Sequence, residues 1–224
     1  LYTNGLMNDV CRASTIHLES NADLTLAGDI AAEKHINVIA ENLTLNKTGS
    51  IYIGDSESES LFSMTQALKN EGDISSKSTL LINATDISNI GEIKTSKQLA
   101  INANTINTTV NSLISAADTL HISGSGASNN DQATSLITNG DIISDKSLSI
   151  QTDLITNNGN LQSAGNLDIT AQTLSNAKNI QSNKQLNIIA NDITNQASAQ
   201  LSLSLIHISE PTRLLSSAFD VLWF

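Results

Sequence analysis

Apolar residues recur along this chain at fixed distances from a repeated glycine, and this pattern organises most of the sequence. Counted from Gly72 as position zero, Ile or Leu stands at positions 2, 8, 10 and 15, and Ala stands at position 12. The next unit begins 19 residues later, at Gly91, and repeats the series. Positions 2, 8, 10 and 15 are Ile, Leu or Val in six units, which start at Gly28, Gly72, Gly91, Gly140, Gly159 and Lys178.

The spacing inside each unit predicts strands and turns. Positions 8, 10 and 12 alternate with polar residues, as expected of a strand that buries one face. Clusters of Gly, Asn, Asp and Ser between the apolar pairs indicate turns, and no unit contains a helix-spaced apolar run of useful length. Nineteen extended residues cover about 60 Å, enough for one coil of a three-sided solenoid whose coils pair about 4.8 Å apart. The sequence therefore predicts an all-β fold, a parallel β-helix with 19-residue coils.

The same register divides the chain into segments. Residues 1–27 are interpreted as irregular first coils and residues 28–202 as the repeat array. Insertions longer than one unit interrupt the array at residues 47–71 and 110–139. Residues 203–224 lose the register and are interpreted as a tail that does not belong to the array.

Each insertion keeps part of the pattern. In residues 110–139, Leu120 and Ile122 retain strand spacing, which predicts a distorted coil plus a loop. In residues 47–71, Ile51 and Ile53 fit before the pattern is lost. The spacing of three further apolar residues predicts a short helix there: Leu61, Met64 and Leu68.

Two units carry a recognisable texture, NNGNLQSAGNLDITAQTLSN (157–176) and NIGEIKTSKQLAINANTINT (89–108). They resemble the repeats of filamentous haemagglutinin and of related haemagglutinin-like and contact-dependent-inhibition exoproteins, and the resemblance covers about residues 16–196. It implies a right-handed β-helix that forms the shaft of a secreted adhesin on the bacterial cell surface. It also implies export by an outer-membrane partner transporter acting through a region outside this chain.

The resemblance leaves other functions open. A shaft of a toxin-delivery exoprotein would have the same local sequence, and a polysaccharide lyase or hydrolase can use the same fold. The receptor or glycan that such an adhesin would bind stays unknown. The chain starts without Met or a leader, so it is expected to be a fragment of a longer protein.

The composition of the chain limits the kinds of core and of binding partner that it can have. The chain is 39% hydrophobic but only 3% aromatic, so a core must consist of small aliphatic side chains. Its net charge of −11 argues against nucleic acid or an anionic membrane as a partner. A single cysteine, Cys11, excludes an internal disulfide framework. No apolar run approaches the roughly 20 residues of a membrane span.

Three polar positions repeat with the units. Position 1 holds acids or amides, and neighbouring coils would stack Asp73 and Glu92 about 5 Å apart, a separation that also suits a retaining glycosidase. Because a solenoid stacks every such pair, we interpret them as solvated turn residues, with a weak cation site as the alternative. Position 6 predicts an outward row of basic residues, which we interpret as increasing solubility rather than as binding glycans: Lys34, Lys97, Lys146 and Lys184. Position 17 predicts a structural amide column: Asn89, Asn157, Asn176 and Asn195.

Catalytic constellations are not evident. The four histidines, at 17, 35, 121 and 207, lack metal-ligand spacing. The acidic segment DSESES (55–60) is interpreted as a solvated loop, with a partner contact as the alternative. The sequence therefore predicts no enzyme, no catalytic, cofactor-binding or metal-binding residues and no cofactor, and leaves the binding residues unknown.

The C-terminal stretch has a different texture. A further unit counted from Lys178 would place apolar residues at three positions where the chain has His207, Ser209 and Thr212. The segment LSLIHISEPTR (203–213) resembles the translation of a sequencing adapter. Residues 203–224 are therefore predicted to be non-native, and a natural cap that uses VLWF is the alternative.

Overall fold

Strands and turns build the whole of the chain that can be described. The computed structural model describes residues 5–7, 10–55, 57–124 and 134–203. The strands in chain order are β1 (Gly5–Met7), β2 (Cys11–Glu19), β3 (Leu24–Leu26), β4 (Asp29–Leu45), β5 (Ser50–Ile53), β6 (Ser60–Asn70), β7 (Asp73–Ser76), β8 (Leu80–Asn89), β9 (Glu92–Thr95), β10 (Leu99–Thr108), β11 (Leu113–Ala116), β12 (Thr119–Ser123), β13 (Ser135–Thr138), β14 (Asp141–Ser144), β15 (Ser147–Gln151), β16 (Leu154–Asn157), β17 (Asn160–Ser163), β18 (Asn166–Asn176), β19 (Asn179–Ser182), β20 (Gln185–Asn195) and β21 (Gln200–Leu203).

Successive coils pair in parallel along three faces. Positions 1–4 of each unit form face 1, positions 8–12 form face 2, and positions 14–17 form face 3. In the regular part, β8 pairs with β10 so that Leu80 lies opposite Leu99 and Ile87 opposite Ile106, 19 residues apart. The chain makes about 10 turns in this way. The predicted parallel β-helix with 19-residue coils is confirmed.

The core is a column of aliphatic side chains enclosed by the three faces. Positions 2, 8, 10 and 15 are buried in the five units that start at Gly28, Gly72, Gly91, Gly140 and Gly159. Each buried Ile or Leu stacks on the corresponding apolar residue of the next coil at a constant spacing. Alternation in the sequence thus becomes alternation between core and solvent.

The first insertion is a coil of the solenoid, and the predicted helix at 61–68 is wrong. Residues 60–70 form β6, which pairs with β4 on one side and β8 on the other. Phe62, Met64 and Leu68 point into the core, whereas Leu61 is only half-buried. Register shifts at the corner after Ser63 absorb the extra residues. Neighbouring strands therefore impose the extended conformation on a segment whose apolar spacing mimics a helix.

The second insertion also carries a coil. Within residues 110–139, β11, β12 and β13 pair with the strands of the next coil on all three faces. β12 ends at Ser123 and β13 begins at Ser135, and residues 125–133 between them are outside the described residues. The predicted non-native tail also lies outside them, except for Leu203, which ends β21.

A polar column runs through the core at position 17 of face 3. We call it the Asn/Thr column; its described members are Asn70, Asn89, Thr108, Thr138, Asn157, Asn176 and Asn195. All but the last are buried. Asn157 Nδ2 donates to Asn176 Oδ1 at 2.7 Å, and Asn176 Nδ2 donates to Asn195 Oδ1 at 2.7 Å. The predicted amide column is confirmed, and Asn70 extends it because its Nδ2 donates to Asn89 Oδ1 at 2.8 Å.

A second polar column closes the corner between faces 1 and 2. Position 4 carries buried hydroxyl groups in most coils: Ser76, Thr95, Ser144, Ser163 and Ser182. Ser182 Oγ donates to the carbonyl of Gly165 at 2.7 Å, and Ser144 Oγ donates to that of Asp118 at 2.7 Å. These bonds satisfy backbone groups at the bend, where strand pairing is interrupted.

Candidate functional site

Two of the acids at position 1, Asp29 and Asp141, accept hydrogen bonds from the following coil. Asp73 lies directly opposite Glu92, as the repeat predicts, and Glu92 forms an ion pair with Lys94 of its own strand. Farther along the same face, Asp141 Oδ1 accepts a hydrogen bond of 2.6 Å from Asn160 Nδ2. These contacts along the axis fit a structural role for the position 1 side chains. They do not place an acid and a base on opposite sides of a cleft, as a glycosidase requires.

The lysines at position 6 share one corner but do not stack on consecutive coils. Gly165 occupies the corner between Lys146 and Lys184, and its backbone packs directly against that of Lys146. Lys146 instead forms an ion pair of 3.1 Å with Asp118 on the preceding coil. The predicted row of basic residues is thus divided into separate charges, one of which, Lys97, is only half-exposed.

Lys97 holds the acidic corner loop that precedes β6. Its Nζ lies 3.0 Å from Asp55 and 3.5 Å from Glu57, although a full coil separates the loop from Lys97. The hydrogen bond to Asp55, together with the nearby negative charges, raises the pKa of Lys97 above its ordinary value. The acidic segment is therefore folded along the solenoid by an ion pair.

Asp153 binds Thr134, which lies within the second insertion. Its carboxylate accepts hydrogen bonds from the Thr134 backbone N–H at 2.7 Å, from Thr134 Oγ1 at 3.0 Å and from Gln172 Nε2 at 3.2 Å. The backbone bond from Thr134 is the main reason that the pKa of Asp153 lies below its ordinary value. A cavity of about 370 Å³ lies beside this clamp and is lined largely by hydroxyl and amide side chains.

A smaller notch on face 1 gathers residue types that are rare in this chain. Arg12 pairs with Ala31, and Ala31 pairs with Tyr52, so the three outward side chains form one row across three coils. The small side chain of Ala31 leaves a notch of about 270 Å³, which Glu33 also lines. Tyr52 is 40% exposed, and Lys77 Nζ of the following coil lies 6.0 Å from its ring centroid.

Sequence reasoning missed both Asp153 and this notch. The row from Arg12 to Tyr52 crosses the irregular first coils and the coil that begins at Gly49, neither of which fits the 19-residue count. Placing Gly49 at position zero would have put Tyr52 at outward position 3. Asp153 has no repeated counterpart, and its role depends on the insertion that it anchors.

Among the described residues, no group of three or more His, Cys, Asp or Glu side chains could hold a metal ion. Within the same ranges, none of the elements is a helix with the length and apolarity needed to cross a bilayer. His17 lies 3.4 Å from Glu19, and His35 lies at a corner with a buried Nδ1.

Comparison with known proteins adds no family. No family model matches the chain, and neither the curated proteins nor the solved structures include a significant match. What is established is the parallel β-solenoid itself.

Proposed function

We propose that this chain is a shaft segment of a secreted, haemagglutinin-like adhesin, a rod that holds binding elements away from the bacterial surface. The observation that carries the proposal is the continuous parallel register of about 10 turns around a buried aliphatic column. At about 4.8 Å per turn, the rod extends for roughly 45–50 Å.

The polar columns support a mechanical role. Hydrogen bonds between buried amides join coils along the axis, in addition to the backbone pairing on three faces. A rod under tension along its axis loads many such bonds together, which suits a spacer. Lys97 holds the corner loop before β6 through Asp55, and Asp153 holds Thr134 in the second insertion, so both corners are candidate positions for binding elements.

Surface location is tested by labelling intact cells. Antibodies raised against the folded chain should label non-permeabilised cells of the producing bacterium, and disruption of the gene should reduce attachment to surfaces or host cells. Labelling that requires permeabilisation would overturn the proposal. Release of reducing ends from polysaccharides by the purified chain would favour the lyase or hydrolase alternative instead.

A further inference from the structure

We propose that the notch lined by Arg12, Ala31, Glu33 and Tyr52 is a binding site for a single neutral saccharide ring. This inference rests on the chemistry of the notch and does not depend on the proposed role as a shaft. A structural rod without ligands needs none of these side chains at these positions, because all of them point outward from the core.

The first argument is the concentration of rare residue types. Arg12 is the only arginine, and Tyr52 the only exposed aromatic residue, in the part of the chain that the structure describes. Outward positions elsewhere on face 1 are filled mainly by Ser, Gln, Asn and charged residues. The coils nevertheless bring the arginine and the tyrosine to the same row, with one small residue between them.

The second argument is the shape. Arg12 and Tyr52 are two rungs apart, about 9.6 Å along the axis at 4.8 Å per rung. Ala31 lies between them and forms the floor of the notch. On the following coil, Gly54 packs against the Glu33 backbone and has no side chain. The volume of about 270 Å³ suits one pyranose ring rather than a long chain.

The third argument is the chemistry of the lining groups. A guanidinium only donates hydrogen bonds, and an ionised carboxylate only accepts them. A hydroxyl group does both, so vicinal sugar hydroxyls can accept from Arg12 while donating to Glu33. The ring of Tyr52 offers an electron-rich face to the C–H groups of a sugar. The opposite charges of Arg12 and Glu33 offset each other in the lining, so a neutral saccharide is the expected ligand.

Ligand-observed saturation-transfer NMR on the full chain tests the site. The probes are the methyl glycosides of glucose, galactose and mannose, and N-acetylglucosamine, with sialic acid as the anionic comparator. We expect at least one neutral probe to bind with a millimolar dissociation constant, as a shallow site for one ring allows. Tyr52→Ala and Arg12→Ala should each weaken that binding at least fivefold, and Tyr52→Phe should largely retain it.

Gln162→Ala is the matched control, because Gln162 occupies the same outward position on face 1 of a distant coil. It should leave binding unchanged. Thermal unfolding followed by circular dichroism should show the same midpoint for all variants, since the exchanged side chains lie outside the core. The proposal is overturned if no neutral probe receives saturation, if Tyr52→Ala binds as well as the parent chain, or if sialic acid alone binds.

Discussion

Asn70 marks the residue at which the inner column of face 3 changes from aliphatic to polar. Three amides of this column, Asn70, Asn157 and Asn176, donate from Nδ2 to the amide oxygen on the following coil. The coil before Asn70 has Leu45 at this position, which offers no donor. Asn70 Oδ1 is consequently buried without a hydrogen-bond partner. A buried acceptor left in this state is destabilising by about 1–3 kcal/mol.

Because the amides donate in one direction along the column, replacing Asn by Leu should have different effects on stability at Asn70 and at Asn157. Asn70→Leu removes one unsatisfied acceptor and creates another at Asn89, so we expect the free energy of unfolding to change by less than about 1 kcal/mol. Asn157→Leu removes the donor to Asn176 and the acceptor of the Gly159 N–H without relieving any existing defect. We expect it to lower the free energy of unfolding by about 1–3 kcal/mol. Urea unfolding measures both, and equal losses would contradict the directional column.

The stabilisation that Asp153 provides by binding Thr134 in the second insertion depends on pH. Hydrogen bonds from Thr134 stabilise its ionised form, so its folded-state pKa lies below the ordinary value of 3.8. The contribution is therefore present above pH 3.8 and is lost as the pH falls through the lower folded-state pKa. We expect Asp153→Asn to be less stable than the parent chain at pH 7, with the difference shrinking below about pH 4. Unfolding measured at both pH values checks this, and a difference independent of pH would contradict the clamp.

At the scale of strands and corners, the repeat predicted the regular coils but not the irregular ones. Positions such as Leu99 and Ile101 follow from alternation alone. β6 was not predicted because its inward positions include the polar Ser60, which is buried and accepts a hydrogen bond of 3.0 Å from the Ile36 backbone N–H. The conformation of that segment is determined by pairing with both neighbours, which a local pattern does not contain.

The notch could not be predicted for a related reason. Arg12, Ala31 and Tyr52 are separated by 19 and 21 residues, and their row emerges only when the register of two unequal coils is known. The position 1 acids, in contrast, were placed correctly because their coils are equal in length. Sites on a solenoid are thus easiest to predict where the repeat is regular and hardest near insertions, where partner contacts can be grafted.

At Gly159, position zero of its unit, the tight corner before face 1 leaves no room for a side chain. A Cβ atom on Gly159 would lie 1.9 Å from the carbonyl oxygen of Gly140, which is backbone and cannot move without shifting the coil. We expect Gly159→Ala to lower the free energy of unfolding by about 1–3 kcal/mol or more. Ser112→Ala, at the same position of another coil, is the control and should lose at most about 1 kcal/mol with its hydrogen bond to the Thr109 carbonyl. Equal stability of Gly159→Ala and the parent chain would show that the corner can relax.

For the whole molecule, stability is distributed over interfaces between neighbouring coils. Among the described strands, each coil pairs with the one before and the one after it, and no central layer joins distant coils. The free energy of such an array is approximately a sum of unit and nearest-neighbour terms. A unit removed without disturbing the register should therefore leave the remaining interfaces intact.

Deleting residues 159–177 tests this directly. The deletion removes 19 residues and joins Asn158 to Lys178, so that β14, β15 and β16 can pair with β19, β20 and the end of β20 in the original register. We expect a folded β-rich protein that is one coil, or about 4.8 Å, shorter and still unfolds cooperatively. Its free energy of unfolding should be lower by the contributions of one coil and one interface between coils. Far-UV circular dichroism and urea unfolding measure the result.

Deleting residues 159–168 is the matched control, because ten residues are not a multiple of the repeat. The residues that follow would then take the wrong positions in the coil. Asn179 would stand at inward position 10 and Lys184 at inward position 15, where the core requires apolar side chains. We expect this shorter deletion to abolish cooperative unfolding of the C-terminal coils although it removes fewer residues. If the ten-residue deletion were tolerated as well as the 19-residue one, the stacking register would not be what holds the molecule together.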